Sequence, residues 1–198
     1  MPEPVQQARN YRIKVAMVGD SGVGKRTLAK LATTNVLDDR LLDQIGVNFT
    51  FSNVKLSGKK GTIHAKVIFW DITGTLRAGR LRDKYEKGIR GLVVVADASR
   101  PDSIEHVPLW ITNINNRIRD LEMVLVLNKI DLVDEAGLDN ARARMTMFAD
   151  TFDAPLFMTS CKIKQDLDKP FLEISRRVCE HVLAEYDLPS SGQMRGNR

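Results

Sequence analysis

The stretch Gly19-Asp20-Ser21-Gly22-Val23-Gly24-Lys25 constrains this chain more than any other. It follows the short apolar run Ile13-Lys14-Val15-Ala16-Met17-Val18 and opens a segment of helical character. The spacing G-x-x-x-x-G-K has a physical meaning when a strand precedes it and a helix follows. Glycines let the loop curl so that its N–H groups point inward, around phosphate oxygens. The helix adds its positive N-terminal end, and Lys25 reaches the outer phosphates. The next residue departs from the pattern. Arg26 stands where Ser or Thr supplies a hydroxyl to magnesium. Thr27 follows, but one step along a helix turns a side chain about 100° away, so Thr27 cannot take over that ligand position.

Two further apolar runs, Leu92-Val93-Val94-Val95-Ala96 and Met123-Val124-Leu125-Val126-Leu127, are short and rich in branched side chains. Such runs suit central parallel strands buried on both faces. Helical spacing follows in Val107, Ile111, Ile114 and Ile118, and again in Phe171, Ile174, Val178 and Val182. Pro108 belongs in the first turn of its helix, where a missing N–H costs little. Val47 to Leu56 and Thr62 to Trp70 flank a Ser-Gly-Lys-Lys-Gly turn and read as a half-exposed hairpin. In its second arm Ile63, Ala65, Val67 and Phe69 alternate with His64, Lys66 and Ile68, which makes His64 a solvent-facing strand residue. The expectation is an α/β fold: a mostly parallel six-stranded sheet, one antiparallel edge strand, and helices on both faces. Ligands bind such sheets at the carboxyl ends of the strands.

A length of 198 residues suits one domain. Residues 1–10 read as a flexible arm, 11–187 as the domain, and 188–198 as a flexible tail. No apolar run approaches the ~20 residues of a membrane helix. Met1-Pro2-Glu3-Pro4 does not resemble a signal peptide, so the expected location is cytoplasmic. Cys161 and Cys179 match neither a metal-site spacing nor a prenylation site, and Pro2 excludes myristoylation. No lipid anchor is expected. The net charge of +5 reads first as solvated lysines and arginines. No aromatic-interleaved basic motif points to nucleic acid. A monomer is expected.

Asn128-Lys129-Ile130-Asp131 follows the third apolar run. Thr159-Ser160-Cys161-Lys162 follows Pro155-Leu156-Phe157-Met158, and Trp70-Asp71-Ile72-Thr73-Gly74 lies between these and the phosphate loop. With GDSGVGK and IGVNF, the order and spacing resemble Ras-superfamily small GTPases of the Rab-like kind, from Tyr11 to about Tyr186. The resemblance implies the small G domain of the P-loop NTPases, with GTP or GDP as cofactor. Nucleotide-contacting positions are then Gly19, Asp20, Ser21, Gly22, Val23, Gly24, Lys25, Arg26, Thr27, Gln44, Asp71, Gly74, Asn128, Lys129, Asp131, Ser160, Cys161 and Lys162. Asp131 would accept two hydrogen bonds from guanine, a donor pair that adenine lacks. Asn128 would bond the base and tie loops together, and the Lys129 stem would pack over the ring. Ser160 and Cys161 would present backbone groups to the base oxygen. Cys161 replaces the usual small residue and implies no redox role.

The same resemblance marks departures. Gln44 stands where a Thr contacts magnesium and the γ-phosphate, and Leu37 where an aromatic covers the base. Asp71 and Gly74 are retained, but Thr75 stands where a Gln orients the attacking water. Lys25, Gly74 and Thr75 are thus the residues at catalytic positions, and Asp71 is an indirect magnesium contact at an altered site. Arg26 either assumes part of the metal's charge-neutralising role, or turns to solvent or only pairs with Asp71 while magnesium binds through Asp71, phosphates and waters. The expected function is a GTP/GDP-dependent regulatory switch with slow or partner-dependent hydrolysis. A non-hydrolysing scaffold stands as the alternative. A third reading is a competent GTPase whose partner supplies an arginine. Effectors or regulators would dock through residues 37–48 and 75–90, where Arg77, Arg80, Arg82, Lys84, Lys87 and Arg90 make a basic run.

Overall fold

The computed structural model describes residues 9–32, 35–36, 48–58, 61–71, 88–115, 118 and 120–187. The strands are β1 (Arg9–Val18), β2 (Asn35–Val36), β3 (Asn48–Gly58), β4 (Gly61–Asp71), β5 (Ile89–Asp97), β6 (Glu122–Asn128) and β7 (Leu156–Met158). The helices are α1 (Lys25–Ala32), α2 (Pro101–Glu105), α3 (Val107–Asn115), α4 (Glu135–Thr151) and α5 (Lys169–Asp187). Among the described residues the sheet runs β2-β3-β4-β1-β5-β6-β7.

Strands β4, β1, β5, β6 and β7 are parallel, and β3 pairs antiparallel with β4. This is the expected six-stranded sheet with helices around it. A two-residue strand, β2, pairs antiparallel with Phe51 and Thr50 of β3 and extends the sheet further. Two residues carry no periodicity, which is why the sequence did not signal it. Strand β1 begins at Arg9, two residues before the expected domain boundary at Tyr11. Residues 1–8 and 188–198 lie outside the described residues.

Hydrophobic patterning explains the layers. Val15, Val93, Val95, Val124 and Val126 point to one face, where α1 and α5 bring Leu28, Phe171, Ile174 and Val178. Ala16, Leu92, Val94, Leu125 and Leu127 point to the other, where α3 and α4 bring Ile111, Ile114, Met145 and Phe148. Each such side chain, buried from water, contributes about 1.5–3 kcal/mol before the entropy cost is counted. In β4, Ile63, Ala65, Val67 and Phe69 are buried while His64 is exposed, as its alternation predicts. Pro108 is the second residue of α3. Asp134 caps α4 by accepting a 2.8 Å hydrogen bond from the Gly137 N–H. The parallel register sets Asp97, at the end of β5, beside Asn128, at the end of β6. These polar residues therefore emerge together at the carboxyl edge of the sheet.

Candidate nucleotide-binding site

The turn from β1 into α1 is shaped by close approach to the strands behind it. A Cβ on Gly19, whose φ is +134°, would lie 2.1 Å from the Val95 carbonyl oxygen. One on Gly24, at φ +99°, would lie 2.4 Å from Asn128 Nδ2. Only glycine fits a backbone pressed this near others in this conformation. Among the described residues, no acceptor is paired with a backbone N–H from Asp20 to Thr27. The first intrahelical bond of α1 runs from the Leu28 N–H to the Gly24 carbonyl at 2.8 Å. A run of unspent donors around a glycine loop and a helix start is an anion-binding arrangement.

Lys25 lies beneath this loop, 4% exposed. Its Nζ donates to the Gly19 carbonyl at 2.8 Å and to the Asp20 carbonyl at 2.7 Å. Burial pushes its pKa down to about 8; the charges of Asp71 and Asp20 oppose the fall, and that of Arg100 adds to it. An incoming anion would restore the ammonium by direct attraction. Asp71 ends β4, opposite Met17 of β1 and within electrostatic reach of Lys25.

Asp20 and Ser21 reveal contacts that sequence reasoning missed. His106 Nδ1 donates to Asp20 Oδ2 at 2.8 Å, and Trp110 Nε1 donates to Asp20 Oδ1 at 2.9 Å. Arg100 donates to the Ser21 carbonyl at 2.7 Å and stands 3.7 Å from Asp20 Oδ2. Burial pushes the Asp20 carboxyl up, but His106 and Trp110, with Arg100, outweigh it and hold its pKa below the ordinary value. The loop is thereby fastened to the start of α2 and α3. No motif signals this, because the partners lie more than 75 residues away in sequence.

The segment after β6 holds itself together. Asn128 is 1% exposed; its Nδ2 donates to the Val23 carbonyl at 2.9 Å, and its Oδ1 accepts from Thr159 Oγ1 at 3.0 Å. It thus ties the phosphate loop to the loop after β7. Lys129 takes a left-handed backbone, φ 61°, and its Nζ reaches 2.7 Å from Oδ2 of the fully buried Asp97. Burial alone would raise the Asp97 pKa; the Lys129 ammonium and the two Ser99 donors more than offset this and lower it. Asp97 is a second missed residue. Its signal was a charge closing an otherwise apolar buried strand.

Ser160 Oγ donates to Asp131 Oδ1. The Ser160 N–H is spent on the Gln165 carbonyl at 3.3 Å, and its carbonyl accepts from the Gln165 N–H at 3.0 Å. Among the described residues, the N–H groups of Cys161 and Lys162 are left without a partner. The Cys161 thiol is pushed up, chiefly by burial, and points at 3.8 Å to Asn128 Oδ1. A thiol raised in this way stays protonated at neutral pH and is a poor nucleophile, which agrees with reading it as a small packing residue.

The structure therefore gathers Gly19 through Thr27, Asp71, Asn128, Lys129, Asp131 and Ser160 to Lys162 at one edge of the sheet. Arg26 is exposed in the first turn of α1 and forms no ion pair with Asp71 or any other described residue. Leu37, Gln44, Thr73, Gly74 and Thr75 lie outside the described residues, as do residues 37–47 and 75–87 of the expected docking segments. Arg90 is described. It stands in β5 and makes a two-pronged pair with Glu185 of α5, at 2.9 and 3.2 Å. The described residues hold no group of three side chains suited to a metal ion.

A mostly parallel sheet with a glycine phosphate loop after β1 and an Asn-Lys-x-Asp turn after β6 defines the class of P-loop nucleotide-binding proteins. The chain belongs to the Ras family, whose model matches residues 14–180. It is 30% identical over 174 residues to the GTP-binding protein ypt1 of Schizosaccharomyces pombe, covering 87% of this chain and 83% of that protein. It is 31% identical over 186 residues to the Ras-related protein Rab-1D of Dictyostelium discoideum, covering 93% and 88%. To the Ras-related protein RABE1e of Arabidopsis thaliana it is 28% identical over 193 residues, covering 97% and 86%. No described helix is long and apolar enough to cross a membrane.

Proposed function

We propose that this protein is a guanine-nucleotide-binding regulatory switch with slow or partner-dependent hydrolysis of GTP. The observation that carries the reading is the Asn128 side chain. It bonds the Val23 carbonyl of the phosphate loop and the hydroxyl of Thr159, the neighbour of Ser160, so one bracket has the loop's N–H groups at one end and the Asp131 carboxylate at the other. A nucleoside diphosphate with a base offering two adjacent donors fits that bracket. Membership in the Ras family and likeness to a protein named for GTP binding support the same reading.

In this reading the loop N–H groups and the Lys25 ammonium hold the phosphates. Asp131 selects guanine, and the Lys129 stem, anchored at Asp97, lies along the ring. Thr75 lacks the amide of a glutamine, so water is poorly oriented and unaided hydrolysis is slow. Effector or regulator proteins bind through residues 37–48 and 75–90. The protein acts as a monomer in the cytoplasm, without nucleic acid. Heat-denaturing the purified protein and running the supernatant on anion exchange tests the core of this: GDP or GTP in stoichiometric amount is expected. Adenine nucleotide, or none even after incubation with GDP, would overturn it.

Arg26 supports a second reading of the same site, a scaffold that holds nucleotide without turning it over. A guanidinium can pair with phosphate oxygens but cannot reproduce octahedral coordination. Nucleotide release then depends little on magnesium. Release rates with magnesium and with excess chelator should match in the wild type and diverge in Arg26→Ser. Many-fold faster release from the wild type on chelation would show that the arginine does not stand in for the metal.

A further inference from the structure

Surface charge is distributed unevenly over this molecule. On its helical sides cations sit against acids. Arg176 spans Glu173 and Glu180, Arg177 meets Glu122, Arg144 meets Glu105, and Arg142 meets Asp139, all at 2.6–2.9 Å. The face of β1, β3 and β4 turned away from α1 and α5 is different. Arg12, Lys55, His64 and Lys66 lie on it, alternating with Ile13, Ile63, Ala65 and Val67, which are buried beneath α1 and α5. The register sets Arg12 beside Lys66 and Lys55 opposite His64. None of the four forms an ion pair with a described residue.

Arg12 and Lys66 stand side by side on neighbouring strands, and like charges set against one another destabilise a sheet. Packing does not explain their placement here, since Arg12, Lys55 and His64 are exposed. The surface between them is concave. Arg12, Lys55, His64 and Lys66, with the amides of Asn10 and Asn53, line a groove of about 500 Å³. Lys66 Nζ lies 3.7 Å over the Phe51 ring, so apolar surface adjoins the charge. The groove sits at the end of β1 remote from the phosphate loop: Arg12 is six residues before Val18, roughly 20 Å at strand spacing.

We propose that this groove is a docking site for an acidic, extended segment of a partner protein. Charge complementarity names the chemistry: glutamates or aspartates would neutralise Arg12, Lys55 and Lys66, which no described acid pairs, and would relieve their mutual repulsion. The shape chooses a polypeptide over a lipid surface. A flat anionic membrane meets protruding cations, whereas a chain can lie between the walls of a groove. The two asparagine amides give its backbone both donors and acceptors, and Phe51 offers an apolar contact. This site does not depend on the nucleotide reading.

The test uses the full chain and a short fluorescein-labelled peptide repeating Glu-Glu-Phe, followed by anisotropy at low and physiological salt. Binding that weakens with salt is expected, and about tenfold weaker binding for Lys55→Gln/Lys66→Gln. Lys55→Arg/Lys66→Arg should bind as the wild type does, and so should Arg142→Gln on α4. The thermal midpoint of the glutamine variant should stay level or rise, because repulsion has been removed. Unchanged peptide affinity in that variant would overturn the proposal. So would a fall in its thermal midpoint, which would make the lysines supports of the fold. Binding of the wild type to phosphatidylserine vesicles but not to the peptide would assign the face to membranes instead.

Discussion

The two ends of the candidate site are built on opposite principles. At the base end the polar side chains answer one another: Asn128 to Val23 and Thr159, Asp131 to Ser160, Lys129 to Asp97. At the phosphate end no described acceptor answers the backbone donors from Asp20 to Thr27, and Lys25 is buried with its charge disfavoured. The difference has a physical reading. Selectivity for a base needs groups fixed before binding, because an unpaired buried partner penalises the wrong base only if it cannot move away. Phosphate recognition needs the reverse, a set of donors whose desolvation is relieved only by an anion. The loop keeps its shape without the anion because glycine contacts and the Asp20–His106–Trp110 bonds hold it from behind.

The sharpest way to break this contrast is Asn128→Ala, which cuts the bracket joining the two ends. It strands the Val23 carbonyl and the Thr159 hydroxyl in a buried place. The expected loss is about 2–4 kcal/mol of stability, together with loss of nucleotide binding. Chemical denaturation of the nucleotide-free protein measures the first quantity. A loss under about 0.5 kcal/mol would mean that the ends are held independently.

A smaller effect on the fold, confined to the base end, is expected for Asp131→Asn. An amide oxygen can still accept from Ser160, so stability should change by less than about 1 kcal/mol. Affinity for GDP should fall by about 100-fold or more, while xanthosine diphosphate gains, since its carbonyl replaces the amino group. Equal GDP affinity in mutant and wild type, measured by fluorescent-nucleotide competition, would remove Asp131 from the pocket.

The smallest effect belongs to the phosphate end and is one of pH. In the nucleotide-free fold Lys25 titrates near 8 because burial lowers it from 10.5. Between those values the unfolded chain holds more protons than the folded one. Stability of the nucleotide-free protein therefore rises with pH across this window, and the penalty of the buried charge is fully present below about 8. Bound phosphates would raise the lysine again, so nucleotide binding takes up a proton and weakens as pH passes 8. Thermal melts and nucleotide titrations across this range read both trends. In Lys25→Met both should vanish, and a trend that persisted would belong to another group.

Much of the fold was legible because its signals are local. The β-branched runs at 13–18, 92–96 and 123–127 become β1, β5 and β6; the helical spacing at 107–118 becomes α3, which ends at Asn115, short of Ile118, and that at 171–182 becomes α5. Glycine spacing announced the phosphate loop, and Asn128 and Asp131 were legible as its companions only through the family resemblance. Illegible were Asp97, His106, Trp110 and Arg100. Their meaning lies in partners from other elements, and side-chain type alone does not reveal a hydrogen bond to a residue 86 or 90 positions away.

The sequence by itself determined the order of elements and the chemistry available at the carboxyl edge of the sheet, because periodicity and glycine placement act on neighbouring residues. Only the tertiary structure decided how that chemistry is used. The register of β5 against β6 brought Asp97 beside Asn128, and the closeness of the first loop to the sixth strand left Gly24 no room for a Cβ. Burial beneath that loop turned Lys25 from an ordinary ammonium into one that titrates near 8. Desolvation and close approach depend on what packs around a residue, and that is set by the whole fold at once rather than by the chain on either side.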